Sequence, residues 1–301
     1  MTPKPPDLPD TFDLSIVLVS WNTRDLLRDC LCSVRAALAA SPAFHAEIWV
    51  VDNASSDGSA GMVRESFPEV LLLENTKNQG FARAANAALR RATGRCWLLL
   101  NPDTLVPAGA LPALCDALVS REDAAVCGPL LENADGSPQF SWARFPGMVS
   151  EWTGHLDRSQ CPYPLADFAS PPARARMAPF TPDWVGGACF LIRARAARQV
   201  GLLDEGFFFS GEETEWCHRL RRRLGDAGGR TLLIPSITVT HLGGQSSRHA
   251  APRVTRRQRC QSAVRLYRKQ YGALSPAAWA AGALALARLA LSPLRVQGRA
   301  R

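Results

Sequence analysis

The sequence lacks the two glycine signatures most often used to cradle a nucleotide. No G-x-G-x-x-G turn follows the first predicted strand; Ser20-Trp21-Asn22-Thr23 stands there instead, which argues against a nicotinamide-dependent dehydrogenase. No G-x-x-x-x-G-K-S/T run occurs, so a P-loop nucleoside triphosphatase is excluded as the default. The nine cysteines contain no Cys-x-x-Cys pair, and their odd number indicates neither a closed disulfide framework nor a structural zinc site. Cys96 and Cys189 lie inside apolar runs and read as small core residues, a usage that fits the reducing cytoplasm. Residues 1–10 are rich in proline and acid and lack the apolar stretch of a secretory signal, so 1–12 are expected to be a disordered leader. Internal repeats and low-complexity tracts are absent. So is any apolar run of the roughly 20 residues a bilayer span requires: the stretch 277–291 is shorter, holds Arg288, and is flanked by Pro276 and Pro293.

What remains is a chain of 301 residues, 47% hydrophobic, long enough to bury one large core. Its formal charge of +8 comes mostly from arginine and favours anionic partners without choosing between phosphates and lipid headgroups. A nucleic-acid partner is not expected, because the basic residues cluster in the tail without an aromatic stacking pattern. Up to about residue 130, short β-branched runs alternate with helical patterns, the signature of βαβ units and a largely parallel sheet. Strands are expected at 14–20, 47–52, 70–73, 96–100 and 124–128, and helices at 24–40, 80–92 and 110–119. From 132 to 182 the rhythm is lost among Pro, Gly, Ser and aromatic residues, which predicts an insertion, a lid or an acceptor-facing loop. A strand led in by Gly186-Gly187, a helix at 213–224 and a strand at 231–240 broken at Pro235 follow. The expected organisation is a single domain over 13–250 with a basic and apolar helical tail at 251–301.

Several acids sit where such a fold places ligands. Asp52 and Asp103 each follow an apolar run, and in open α/β sheets ligands bind beyond the carboxyl ends of the strands. Asp52 is suited to a base imide or ribose hydroxyl, or to capping the turn Asn53 to Ser59. Asp103 is suited to Mg²⁺ or Mn²⁺ shared with substrate phosphates, or to an ordinary turn. Glu212, Glu213 and Glu215 open a helix, where acids complement the macrodipole. The preceding Phe207-Phe208-Phe209 supplies an apolar wall able to raise a carboxyl toward a working base. His241 is a candidate for a metal or a diphosphate, or is structural.

In order along 14–247, the chain carries Val19-Ser20-Trp21-Asn22, Val51-Asp52-Asn53-Ala54-Ser55-Ser56-Asp57-Gly58-Ser59 and Asn78-Gln79-Gly80-Phe81-Ala82. Leu100-Asn101-Pro102-Asp103, Trp184-Val185-Gly186-Gly187-Ala188, Glu212-Glu213 and His241 follow. With these motifs it resembles the family 2 inverting glycosyltransferases, particularly their bacterial rhamnosyltransferase-like branch. The resemblance implies an α/β fold of GT-A type: one Rossmann-like, mainly parallel sheet flanked by helices, with a C-terminal helical tail. It implies that Trp21, Asn22, Asp52, Asn78, Gly80, Phe81 and Asn101 surround the nucleotide, and that Gly186 and Gly187 line the transferred sugar. Asp103 matches the last acid of the family's D-x-D motif and with His241 would hold a divalent metal on the donor diphosphate; Asn101 stands where many relatives carry the first acid. Glu212-Glu213 matches a pair that is usually Glu-Asp, with Glu213 as the implied general base, and Glu215 also stands where aspartate is common.

The implied activity is metal-dependent transfer of a sugar, L-rhamnose among the candidates, from a dTDP-, UDP- or GDP-linked donor. The acceptor would be a glycan or a polyprenyl-diphosphate-linked saccharide in cell-surface polysaccharide synthesis. The competing readings are another hexosyltransferase, a polyprenyl-phosphate-sugar synthase, or a catalytically silent scaffold of the same fold. For the tail the expectations are an interfacial helix on the inner face of the cell membrane, or packing on the domain or on a second copy in a homodimer.

Overall fold

A computed structural model describes residues 11–140, 142–153, 155–208, 210–243 and 252–291. The expected leader falls mostly outside these residues; of it Thr11 and Phe12 are described, and Phe12 already belongs to the first strand. The strands are β1 (Phe12–Ser20), β2 (Ala46–Asp52), β3 (Leu71–Glu74), β4 (Gly94–Leu100), β5 (Thr104–Leu105), β6 (Ala124–Glu132), β7 (Pro138–Gln139), β8 (Trp142–Ala143), β9 (Trp184–Val185), β10 (Cys189–Arg193) and β11 (Arg230–His241). Nine form the main sheet in the order β3-β2-β1-β4-β10-β6-β11-β5, with β7 paired to β6. The β3, β2, β1 and β4 run is parallel, as is the β6–β11 pair, whereas β10 runs antiparallel to both β4 and β6.

Side-chain alternation in the central strands feeds two cores. Leu14, Ile16 and Leu18 of β1, with Leu98 and Leu100 of β4, meet the apolar faces of the Arg24–Ala39 and Ala110–Val119 helices. Val17, Val51, Trp97 and Leu99 point to the other side, onto the alanine-rich Phe81–Leu89 helix and onto Trp216 of the Glu212–Leu224 helix. Both faces of the sheet are therefore covered, which is why β1, β2 and β4 read as almost unbroken apolar runs. Six of the nine cysteines are buried and all nine are free.

Two departures from the sequence reading have local causes, and the stretch expected as an insertion has a core of its own. The run from Trp184 to Ile192 is not one strand: Gly186-Gly187-Ala188 forms a corner, β9 pairs with β8 in a separate small sheet, and β10 enters the main sheet. Pro235 does not end β11; the ladder with β6 slips between Ile234 and Thr238 and resumes, so the proline is absorbed in a bulge. Residues 132–182 carry an aromatic cluster of their own, with Trp142 and Phe168 fully buried and Phe140 and Phe180 packed edge-on against Trp142.

The tail packs on the domain. Helix Pro252–Tyr271 lies against the Glu212–Leu224 helix, and helix Pro276–Leu291 against both Pro252–Tyr271 and Met148–Thr153. Arg265 donates from Nε and Nη2 to Asp204 at 2.9 and 2.7 Å, and Lys269 reaches Asp204 at 2.5 Å and Glu215 at 3.1 Å. Among the described residues no helix is long and apolar enough to cross a membrane.

Candidate active site

Strand register brings the proposed site residues to one edge of the sheet. Ser20 pairs with Asp52, Leu18 with Leu100, and β10 begins with Cys189 opposite Leu100, so Asp52, Asp103 and the Gly186–Ala188 corner share the carboxyl edge. The Asn101 amide donates to the Ala188 carbonyl at 2.9 Å, tying the corner to the Asn101-Pro102-Asp103 turn. His241, the last residue of β11, pairs with Thr104, and the Leu242 amide donates to the Asp103 carbonyl at 2.9 Å.

Each acid at this edge is buried and incompletely satisfied. Asp52 accepts the Ser55 amide on Oδ2 at 3.0 Å, while its buried Oδ1 has no partner. Asp103 is 4% exposed, and its Oδ1 likewise has no hydrogen bond. His241 Nε2 stands 3.4 Å from that oxygen, close enough for attraction when protonated but not placed to donate. Gln139 fixes the ring from behind, its Oε1 lying 2.8 Å from Nδ1 and its Nε2 donating to the His241 carbonyl at 2.6 Å. At this separation the two donor atoms, a carboxylate oxygen and an imidazole nitrogen, would be able to hold one Mg²⁺ or Mn²⁺ together. Among the described residues no group of three or more His, Cys, Asp or Glu is placed to hold a metal by itself.

Glu212 and Glu213 open their helix behind Gly211. Burial, with Glu213 beside it, raises the Glu212 carboxyl to about 8, and its Oε2 is buried without a partner. Burial also raises Glu213, against the lowering effect of backbone amides at the helix start. Glu213 is only half-buried, and its side chain lies over Gly187: a Cβ there would sit 3.7 Å from Glu213 Cγ. The two glutamates thus occupy different surroundings, one sealed and one open to the sheet edge. Glu215 belongs elsewhere: it is 3% exposed and is held by Arg219 and Lys269.

Two of the polar residues expected around the nucleotide use their side chains to build the loops. Asn22, at φ +55°, accepts the Ser56 amide on Oδ1 at 2.8 Å. Asn78 Oδ1 accepts from Asn53 Nδ2 and from the Gly80 amide, both at 2.9 Å. Asn53 is the hub the sequence reading passed over: its Oδ1 accepts from Asn75 Nδ2 and the Gln79 amide, both at 3.0 Å, locking the 75–80 loop to the end of β2. Asp57 caps two helices at once, accepting the Arg24 amide at 2.8 Å and the Ser59 amide at 3.0 Å. Trp21, Phe81 and Asn101 remain half-buried at this edge.

Gly80 is required by geometry. Its φ is +81°, and a Cβ would lie 2.7 Å from the Phe208 carbonyl oxygen, which is held in place by the Phe81 amide at 2.9 Å. Gly80→Ala is expected to cost about 2–4 kcal/mol in chemical denaturation, because neither the backbone angle nor the carbonyl can yield cheaply.

The family model described as "Glycosyl transferase family 2" matches residues 15–181, more than half of the chain. A Mycobacterium tuberculosis N-acetylglucosaminyl-diphospho-decaprenol L-rhamnosyltransferase is 28% identical over 242 residues, covering 76% of this chain and 75% of that protein. The Haloferax volcanii low-salt glycan biosynthesis hexosyltransferase Agl10 is 24% identical over 214 residues, covering 70% and 62% respectively. Among solved structures, the Pyrobaculum calidifontis mannosyltransferase PcManGT, in complex with GDP-Man and Mn²⁺, superposes with a TM-score of 0.57 at 18% identity, covering 95% of this chain and 76% of that one.

Proposed function

The chain belongs to glycosyl transferase family 2, and from that premise we propose that it is a metal-dependent inverting enzyme using a nucleotide-diphospho-sugar, with L-rhamnose as the favoured sugar. The acceptor in this reading is a glycan or a polyprenyl-diphosphate-linked saccharide, the class named for the mycobacterial relative. One observation carries the proposal. Among the described residues, the buried carboxylate oxygens without a partner belong to Asp52, Asp103 and Glu212, all grouped around one sheet edge. Native proteins seldom leave such atoms unpaired; a donor nucleotide would satisfy Asp52 and a cation Asp103, while Glu212, sealed from the edge, keeps its proton.

In this mechanism Asp52 takes a hydrogen bond from the ribose or base, and the glycine of the 78–81 loop lets backbone approach the nucleotide. Asp103 and His241 would hold the divalent ion, which when bound supplies Lewis-acid stabilisation of the leaving diphosphate. Glu213 removes the proton from an acceptor hydroxyl. That oxygen bonds to the anomeric carbon as the bond to the diphosphate oxygen breaks, and the configuration inverts. Glu212, protonated near neutrality, leaves the negative charge of the pair on Glu213, the more exposed member.

The test is calorimetry with UDP, dTDP and GDP, each with and without Mn²⁺, on the wild type and on Asp103→Ala. Metal-dependent binding of one nucleotide, lost in the variant, is expected. Equal binding by the variant would remove Asp103 from the metal site, and no binding of any nucleotide would overturn the donor site as drawn and favour a silent scaffold.

A further inference from the structure

Charge is divided along this chain. Of its 35 basic residues 13 lie after Asp226, and none of its 27 acids does, so the net +8 separates into −5 before that point and +13 after it. The C-terminal helices gather part of that charge on one face. Helix Pro252–Tyr271 is bound to the domain through Arg265 and Lys269, while its Arg257 and Arg268 are exposed. All four cations line one groove of about 720 Å³, with Val264 and Leu286 beside them.

Apolar surface borders these cations. Trp279 is 58% exposed, Leu274 92% and Leu286 44%, and the Arg268 guanidinium lies 4.9 Å from the centre of the Trp279 ring. Along Pro276–Leu291 the buried face is Ala278, Ala281 and Ala285, and the opposite face presents Trp279, Ala280, Ala283, Leu286 and Ala287, none of them polar. Water is a poor solvent for such a strip, and a contiguous apolar face edged by cations marks a binding surface.

We propose that this face docks on an anionic lipid bilayer, with headgroup phosphates in the groove at Arg257 and Arg268, and with Trp279 and Leu274 at the headgroup boundary. A helix that lies in the interface rather than crossing it needs what is found here: an apolar side, an indole ring and adjacent arginines. A second copy of the chain is the poorer occupant, since a symmetric contact would press two cationic arrays together. A nucleic acid would satisfy the arginines and leave the alanine and leucine strip without a counterpart.

The docked helix contacts the segment that leads into the acid pair. The Arg265 guanidinium lies on Gly206, where a Cβ would stand 2.1 Å from Cζ, and 5.6 Å from the centre of the Phe207 ring. The same ring also meets Gly211, the residue before the acid pair: a Cβ on Gly211 would lie 3.6 Å from it. Docking of this helix would place the bilayer surface near the acid pair, as suits an acceptor carried on a membrane lipid, on the reading proposed above.

The experiment is co-sedimentation of the full chain with phosphatidylcholine vesicles, with and without phosphatidylglycerol, across a salt series. It is run on the wild type, on Arg257→Ala/Arg268→Ala and on Leu274→Ala/Trp279→Ala, all checked for an unchanged melting transition. Binding is expected only with phosphatidylglycerol, falling as salt rises, and roughly ten- to thirtyfold weaker in the arginine variant. The Leu274 and Trp279 variant is expected to lose binding as well. Equal binding to both vesicle types, no binding to either, or indifference to both variants would overturn the proposal. So would a dimer in light scattering that the Leu274 and Trp279 variant abolishes, or displacement of the vesicles by stoichiometric oligonucleotide. Nucleotide affinity is expected to be unchanged in both variants, so failure of the sugar-transfer reading and failure of this one give separate results.

Discussion

Glu213→Gln is expected to lower the turnover of sugar transfer by about 10²–10⁴-fold while leaving nucleotide binding and the melting transition nearly unchanged. The substitution keeps the size and shape of the side chain over Gly187 and removes only its capacity to take a proton. A drop in kcat with donor KM preserved is the signature of a group that acts on the acceptor hydroxyl. A parallel loss of donor affinity would instead place Glu213 among the binding residues. The wild-type pH profile carries a second reading of the same group. Burial holds the Glu213 carboxyl above the ordinary glutamate range, so the acidic limb of kcat/KM is expected above pH 4.5 and is expected to vanish from the residual activity of the variant.

Glu212→Gln tests stability rather than chemistry, and its effect depends on pH. In the folded chain the carboxyl keeps its proton up to about pH 8, whereas in the unfolded chain it releases it near 4.5. Its protonated form therefore supports the fold fully below about 4.5, and that support is lost progressively as pH rises through 8. Glutamine carries no charge at any pH and is free of this loss. Denaturant titrations are expected to show the variant gaining on the wild type between pH 4.5 and 8, by on the order of 2–4 kcal/mol at the upper end. A difference that stays constant with pH would mean that Glu212 is ionised in the fold throughout, and that the pair shares no proton.

The strand-end acids were legible because their signal is local. An apolar run followed by Asp is a pattern of a few residues, and parallel pairing then places Asp52 and Asp103 on one edge without further information. Their edge-mates were harder to read. Gly186 and Gly187 look like the start of a strand, because hydrophobic pattern reports burial and not the sheet in which a segment is buried. The sequence gives no sign that the Asn22 and Asn78 side-chain oxygens accept from Ser56, Asn53 and Gly80. Amide side chains bind backbone and ligands equally well, and only the three-dimensional neighbours decide between them. The Asp204 to Arg265 pair spans 61 residues and has no periodic signature at all. The aromatic cluster within 132–182 was hidden for the same reason, since Trp142, Phe168 and Phe180 meet through folding and not through spacing.

The clasp of Arg265 and Lys269 on Asp204 and Glu215 also sets an order of events during synthesis. Asp204 is 5% exposed and Glu215 3%, and two of the cations that compensate them lie more than fifty residues downstream. A nascent chain that has released the whole sheet from the ribosome still holds carboxylates short of partners beside an unsupported Phe207. The Asp204 loop and the Glu212–Leu224 helix are thus the last parts of this sheet edge to gain their full set of charge partners, when the arginine-rich helix has emerged.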